Sequence, residues 1–281
     1  MRMVHLWFMA IAVVLLIGLI IWRQMDHRAD RKEMDRLIQL QPESPLRFST
    51  ELLAGLPEPA RRYFTFAISE GTPLYTVAQL QMSGQFGMGD KDDPGYMPMQ
   101  ATQVLAAPEG FVWKMSGGTG AMRMAGSDSG TWTRFWIAGI VPVARLGGDP
   151  DHRQSAFGRY VAEAVFWTPA AMLPGPHVSW EGVSENVARV TMRHHGLEQS
   201  VDVTVAEDGR PVQVSFLRWS DANPEKVHRL QPFGGYLSEF RDFDGFRLPT
   251  HVEAGNMFGT DAYFPFFIAD VTEISFPVPS R

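Results

Sequence analysis

Val201-Asp202-Val203-Thr204-Val205, then Asp208-Gly209, then Val212-Gln213-Val214-Ser215-Phe216 form the stretch whose reading decides the fold. On both sides apolar and polar residues alternate with a period of two, as a sheet with one buried and one solvated face requires. Asp208-Gly209 between them supplies the dipeptide that tolerates the positive φ of a tight turn. The segment therefore reads as an antiparallel hairpin.

The same pattern extends outward in both directions. Asp244-Gly245 separates residues 236–243 from 246–252, and a last strand is expected over 262–276. Toward the N-terminus, Leu80, Met82, Gly84, Phe86 and Met88 alternate with Gln79, Gln81, Ser83, Gln85 and Gly87. Met97, Met99, Ala101, Gln103 and Leu105 repeat the period. Further strands are read at Phe111-Val112-Trp113-Lys114-Met115, around Met122 to Met124, and over 132–137. The count is about ten strands, joined mostly by short turns, so the expected fold is mainly β (α+β): a curved antiparallel sheet or half-barrel. Few helices interrupt it. Ser49 caps a short one ending at Leu53, Pro57 and Pro59 open another over 60–68, and residues 151–167 form the longest. These helices are expected on the concave side of the sheet.

Met3 to Trp22 is an unbroken apolar run between Arg2 and Arg23. About twenty residues at 1.5 Å rise match a hydrocarbon core of roughly 30 Å. Trp7 and Trp22 stand toward its two ends, where amphipathic rings favour the interface. A cleaved signal would end in small residues, whereas this run leaves through Ile20-Ile21-Trp22-Arg23. The expected organisation is a transmembrane anchor over 1–22, a juxtamembrane helix and linker over 23–47, and one β-rich domain over 48–281. The juxtamembrane helix reads as a stalk, since its apolar stripe is thin for a helix lying on lipid.

Arg23, Arg28, Arg31, Lys32 and Arg36 follow the run, which by the positive-inside rule favours a cytoplasmic body. A β-rich domain behind an N-terminal anchor is also a common exported design. The expectation adopted is a single-pass protein of the bacterial inner membrane with its domain in the periplasm. Net charge is −6, which argues against nucleic acid as a partner. Cysteine is absent, removing disulfides, thiolate metal sites and cysteine nucleophiles.

Motifs for chemistry are few. The eight histidines contain no His-x-x-x-His pair, and on one strand His194 and His195 would face opposite ways. No metal and no cofactor is expected. Gly126-Ser127-Asp128-Ser129-Gly130 has Asp128 where a nucleophile elbow has serine, and it reads as a turn. Gly117-Gly118-Thr119-Gly120 lacks the lysine of a phosphate loop. The most suggestive group is on the 151–167 helix, where Arg159 and Glu163 can pair at i,i+4 and Arg153 and Trp167 lie on a neighbouring stripe. A sheet lined by Met82, Met99, Trp113, Met115, Met122 and Met124 would offer a soft apolar hollow. Candidate ligand-binding residues are Met82, Met99, Trp113, Met115, Arg153, Arg159, Glu163 and Trp167. No catalytic residue is assigned.

Several phrases carry a resemblance: Leu56-Pro57-Glu58-Pro59-Ala60-Arg61-Arg62-Tyr63-Phe64, Arg153-Gln154-Ser155-Ala156-Phe157-Gly158-Arg159, Arg218-Trp219 and Pro232-Phe233-Gly234-Gly235. Together they resemble an uncharacterised bacterial family, a domain of unknown function often carried behind membrane-spanning segments, over roughly 48–276. No catalytic residues are carried over from that resemblance. The strand-rich order also looks like the half-barrel of periplasmic lipoprotein carriers, which implies a hydrophobic ligand. The expected function is a non-enzymatic, membrane-anchored binding domain for a lipid-like ligand or a lipidated partner. Alternatives are an enzyme on a membrane-derived substrate, with Glu163 or Glu239 as base and Arg159 or Arg218 holding an anion, or a scaffold of an envelope assembly.

Overall fold

Every alternating segment finds its place in a single sheet. The computed structural model describes residues 2–278. The strands are β1 (Ala78–Gly87), β2 (Tyr96–Ala106), β3 (Gly110–Gly117), β4 (Met124–Ser129), β5 (Trp132–Ile137), β6 (Val141–Gly147), β7 (Val178–Ser184), β8 (Val187–His194), β9 (Leu197–Val205), β10 (Pro211–Ser220), β11 (Arg229–Phe243), β12 (Phe246–Asn256) and β13 (Phe264–Ser275). Their order is β6-β5-β4-β3-β2-β1-β13-β12-β11-β10-β9-β8-β7, so the chain runs to one edge, then returns from the other edge to the centre. The central join pairs β1 with β13, Leu80 lying opposite Ile274. All neighbours are antiparallel, and the sheet curls without closing.

The expected fold class is thus found, with thirteen strands instead of about ten. The additional strands are β6, β7 and β8. Strands β6 and β7 are the two edges, and the exposed polar and apolar residues of Val141–Gly147 and Val178–Ser184 give them no clean buried face. Hairpin chemistry was the sounder guide. Asp244 and Gly245, at φ 49° and 90°, make the two-residue turn between β11 and β12. The β9–β10 connection is closed by Gly209 donating to the Ala206 carbonyl at 3.0 Å.

Helices α1 (Arg2–Ile38), α2 (Glu58–Ala67) and α3 (Pro150–Trp167) complete the fold. The Asp149 side chain accepts the His152 amide at the start of α3, and Pro150 occupies a first-turn position that needs no amide donor. Phe157, Val161, Val165 and Trp167 of α3 are buried against the inner face of the sheet. Each such burial contributes about 1.5–3 kcal/mol. Gly158 allows the close approach: a Cβ there would lie 2.7 Å from the Gln199 side chain. In α2, Tyr63 and Phe64 are buried, and the Tyr63 hydroxyl donates to the Val165 carbonyl, tying α2 to α3.

Helix α1 goes to the other face. At 1.5 Å per residue it is roughly 55 Å long, and its apolar first half leaves the body with exposed side chains. The second half, expected as a stalk, lies instead along the outer face of β2 to β6. There Leu37 is packed with Val77, Val104, Ala106 and Val112, the buried outward-facing side chains of that part of the sheet. Further up the helix, Asp30 accepts from Ser127 at 2.7 Å, and Trp22 meets Trp136 edge to face. Polar residues that would have been solvated on a stalk are here the contact with the sheet.

Candidate functional site

Between α3 and the inner face of the sheet is a hollow of about 220 Å³. Its walls are the rings of Phe86, Trp113, Phe135, Phe166, Trp167, Phe216, Phe233, Phe266 and Phe267. Strands β3, β5, β10, β11 and β13 each contribute at least one, because successive inward positions converge as the sheet curls. Next to Phe233, Gly234 and Gly235 add only backbone to the β11 part of the wall. The volume exceeds the roughly 150 Å³ of an apolar cavity that takes benzene and falls below the roughly 300–1,000 Å³ of drug-sized sites. It suits a single slender chain and not a multi-chain lipid.

One side of the hollow is charged. Arg159 donates to Glu163 and to Asp128, both at 2.7 Å, and to Gln103 at 3.4 Å. Gln103, fully buried on β2, donates to the second oxygen of Glu163 at 2.6 Å. Thr133 donates to Asp128 at 2.5 Å and reaches His152 at 3.0 Å. The Arg159 guanidinium also lies over the rings of Phe111 and Trp113, 4.6 Å and 5.1 Å from their centroids. Burial would lower its pKa, yet Glu163 and Asp128 outweigh that and hold it above the ordinary value. Every carboxylate oxygen of Asp128 and Glu163 and every guanidinium nitrogen of Arg159 has a partner, as a buried ion cluster requires, while the His152 Nδ1 at its edge has none.

Arg218 is different. It lines the same hollow with its guanidinium over Phe233, 5.0 Å from the centroid, and its buried Nε has no acceptor. Its side chain forms no hydrogen bond or ion pair among the described residues, although Asp128, Glu163 and Asp221 act on its charge from farther off. Burial and the like charge of Arg159 push it down to about 10, so at neutral pH it still carries its proton. The indole N–H of Trp113, also in the wall, lacks an acceptor as well. Two donors without partners therefore belong to residues of one apolar hollow.

Of the residues expected from the sequence, Trp113, Arg159, Glu163 and Trp167 come together in the wall. Met82, Met99 and Met115 are buried in the same core on β1, β2 and β3 but fill space outside the hollow. Met122 is exposed, in the turn before β4. Arg153 is exposed and does not line the hollow: six residues back from Arg159 is about 240° around the helix. Gln103 and Asp128 were not anticipated as site residues, although a signal existed. Each is a polar residue at an inward position of its strand, and the segment holding Asp128 is strand β4, not the turn it was read as.

Glu239, the other base considered, is exposed on β11 beside Arg210 and Arg247, in a separate surface depression. Glu163 accepts one hydrogen bond at each oxygen, from Gln103 and from Arg159, so it is held as a partner of the buried cluster. The histidine pair departs from expectation: β8 ends at His194, His195 turns to φ 47°, and the two rings come within 3.8 Å. With Glu109 their ligand atoms lie within 4.8 Å of one another, a set that could hold a cation. His194 lies 3.3 Å from Glu109, and burial lowers its pKa, so at neutral pH the contact is between a carboxylate and an uncharged ring.

The fold and the hollow define a curved-sheet protein with an internal, aromatic-walled site. A family of unknown function, DUF6544, matches residues 46–268, and the chain belongs to that family. No curated protein matches the sequence. Among solved structures the chain is similar to a LolA superfamily protein from Nitrosomonas europaea, with 11% identity over 78% of this chain and 91% of that one, at a TM-score of 0.39. It is also similar to a DUF1329 family protein from Desulfovibrio piger, with 11% identity over 73% and 88% and the same TM-score of 0.39. These likenesses concern architecture, and no ligand follows from them.

Proposed function

We propose that this chain is a membrane-anchored, non-enzymatic domain that binds a hydrophobic ligand bearing an acidic group. The observation that carries the reading is the pairing of an aromatic-walled hollow with Arg218, a cation in its wall with no anion bonded to it. A slender apolar chain would displace poorly held water from the hollow, and its carboxylate or phosphate would accept from Arg218. Arg159 and its partners would fix the charged wall without being consumed by the ligand. Residues 3–22 would span the bilayer and keep the domain beside its ligand source. We place the domain on the periplasmic side of a bacterial inner membrane; a C-terminal reporter enzyme active only in the periplasm tests that placement.

An enzyme would use the same cluster, but Glu163 is tied to Arg159 and Gln103 while the Arg218 side chain has no bonded partner, so binding is the better reading. The test is native mass spectrometry of the full chain in mild detergent, because residues 23–38 form part of the folded body. A co-purifying or added single-chain amphiphile bound at one per chain is expected. A chain that stays ligand-free across fatty acids, lysolipids and their uncharged analogues would overturn the reading.

A further inference from the structure

The apolar run of α1 ends at Trp22, and at that level the helix touches the tip of the β5–β6 hairpin. Trp136 of β5 packs against the Trp22 ring at a centroid distance of 5.5 Å, and the Arg145 guanidinium of β6 lies 4.6 Å from it. Arg23 lies over Gly139 in the β5–β6 turn, so close that a Cβ there would be 2.3 Å from its guanidinium nitrogen. The β3–β4 turn adjoins that tip, Ala138 donating to the Arg123 carbonyl at 2.9 Å. Both tips expose large apolar side chains: Met122 is 70% exposed, Ile140 40%, Val141 49% and Val143 48%.

We infer that these two hairpin tips form a lipid-contacting surface that enters the bilayer interface beside the end of the transmembrane helix. The inference rests on the anchor reading above and adds to it. Single exposed apolar residues are ordinary, but four on adjoining tips form a patch. The patch is continuous with the apolar run at Trp22, where an interfacial ring belongs. Its charge also fits lipid headgroups. Arg23 and Arg123 flank it, and between residues 117 and 148 the only acidic residue is Asp128, turned inward to Arg159. The nearest other carboxylate, Asp26, is taken up by Arg145 and Arg134. The occupant is therefore a phospholipid surface.

One consequence concerns the hollow. Strands β4 and β5 present Asp128, Thr133 and Phe135 to the hollow, while the tips they lead to would rest in the headgroups. Ligand could then pass between bilayer and hollow over a short path.

The absence of cysteine makes the test direct. Met122→Cys, Ile140→Cys, Val13→Cys and Leu46→Cys are each labelled with an environment-sensitive fluorophore. The full chain is reconstituted in phosphatidylcholine–phosphatidylglycerol vesicles with and without nitroxide-labelled lipid. Leu46, 76% exposed and bonded through its carbonyl to Leu74 just before β1, reports the opposite end of that strand. Expected is loss of most emission at positions 13, 122 and 140, with little loss at 46. Quenching at 13 with positions 122 and 140 as unquenched as 46 would overturn the inference and leave the anchor standing. No quenching at 13 would remove the anchor reading, and the inference with it.

Discussion

Asp26 and Arg145 lie 119 residues apart and meet on the outer face of the sheet, Arg145 donating to both carboxylate oxygens, one of them at 3.0 Å. Trp136 donates to the same carboxylate at 2.9 Å, and Arg134 approaches it at 3.4 Å. The contact fixes the direction in which the apolar half of α1 leaves the body. It also places the helix behind strands that build the hollow on their other face.

Asp26→Asn should loosen that contact. Charge-assisted hydrogen bonds are worth about 1.5–3 kcal/mol each when lost, and the partial exposure of Arg145 puts this change near the lower end. Hydrogen exchange of residues 23–38 should accelerate while the sheet core keeps its protection. The wild-type contact should also be acid-sensitive. Burial alone would raise the Asp26 carboxyl, but the bonds from Arg145 and Trp136 outweigh it and hold it below its ordinary value. A carboxyl depressed in the folded state adds stability above its unfolded pKa of about 4 and loses it as pH falls through the folded value. Protection of 23–38 should therefore persist at neutral pH and fade below pH ~4, and Asp26→Asn should lack that acid step.

Arg159→Leu should be among the most destabilising single changes in the domain. It leaves Asp128 and Glu163 facing each other's field in a buried site without their common cation. Breaking a buried ion group this way costs about 3–5 kcal/mol. Urea titration at pH 7 should show a deficit of that size for Arg159→Leu and a smaller one for Arg159→Lys, which keeps the charge. Equal deficits would mean lost packing on Phe111 and Trp113, not lost charge pairing.

Ala254→Leu should fill the hollow. Ala254 lines it from β12, opposite a wall of rings. Removing cavity volume is worth about 24 cal/mol per Å³ when the new side chain fits, so stability should stay level or rise by up to about 1 kcal/mol. Binding of a single-chain amphiphile, read by competition with an environment-sensitive fatty acid probe, should weaken by at least about tenfold. A stable variant with undiminished binding would locate the ligand elsewhere.

Much of the sheet was legible because hairpins and alternation are local signals. Asp208-Gly209 and Asp244-Gly245 each mark a connection between neighbouring strands. The edge strands were not legible, since the apolar residues of β6 and β7, such as Val141, Val143 and Val183, stay exposed and mark no buried face. The docking of α1 was hidden for another reason. Asp26 and Asp30 read as solvated residues of a charged helix, and only the distant Arg145 and Ser127 turn them into buried acceptors. The site was half legible. Arg159 and Glu163 share a helix face, so their pairing follows from spacing, whereas Gln103, Asp128 and Arg218 come from strands that meet only when the sheet curls.

Arg218→Met tests the anion most directly because it should move stability and binding in opposite directions. The native side chain places a charge in an aromatic wall with no counter-ion bonded to it, and methionine keeps the apolar stem without the charge. The unliganded variant should therefore be as stable as the wild type or more so, by about 1 kcal/mol. A purely structural arginine would show the reverse, a loss of stability on truncation. Binding should discriminate further. A long-chain carboxylate should lose about 10–100-fold in affinity, corresponding to about 1.5–3 kcal/mol for a charge-assisted bond. The alcohol of the same chain length has no charge to lose and should bind wild type and variant alike. If acid and alcohol weaken together, Arg218 shapes the hollow and does not select its ligand. If neither weakens, the acidic group of the ligand lies away from Arg218, and the orphaned Trp113 N–H becomes the donor to test next.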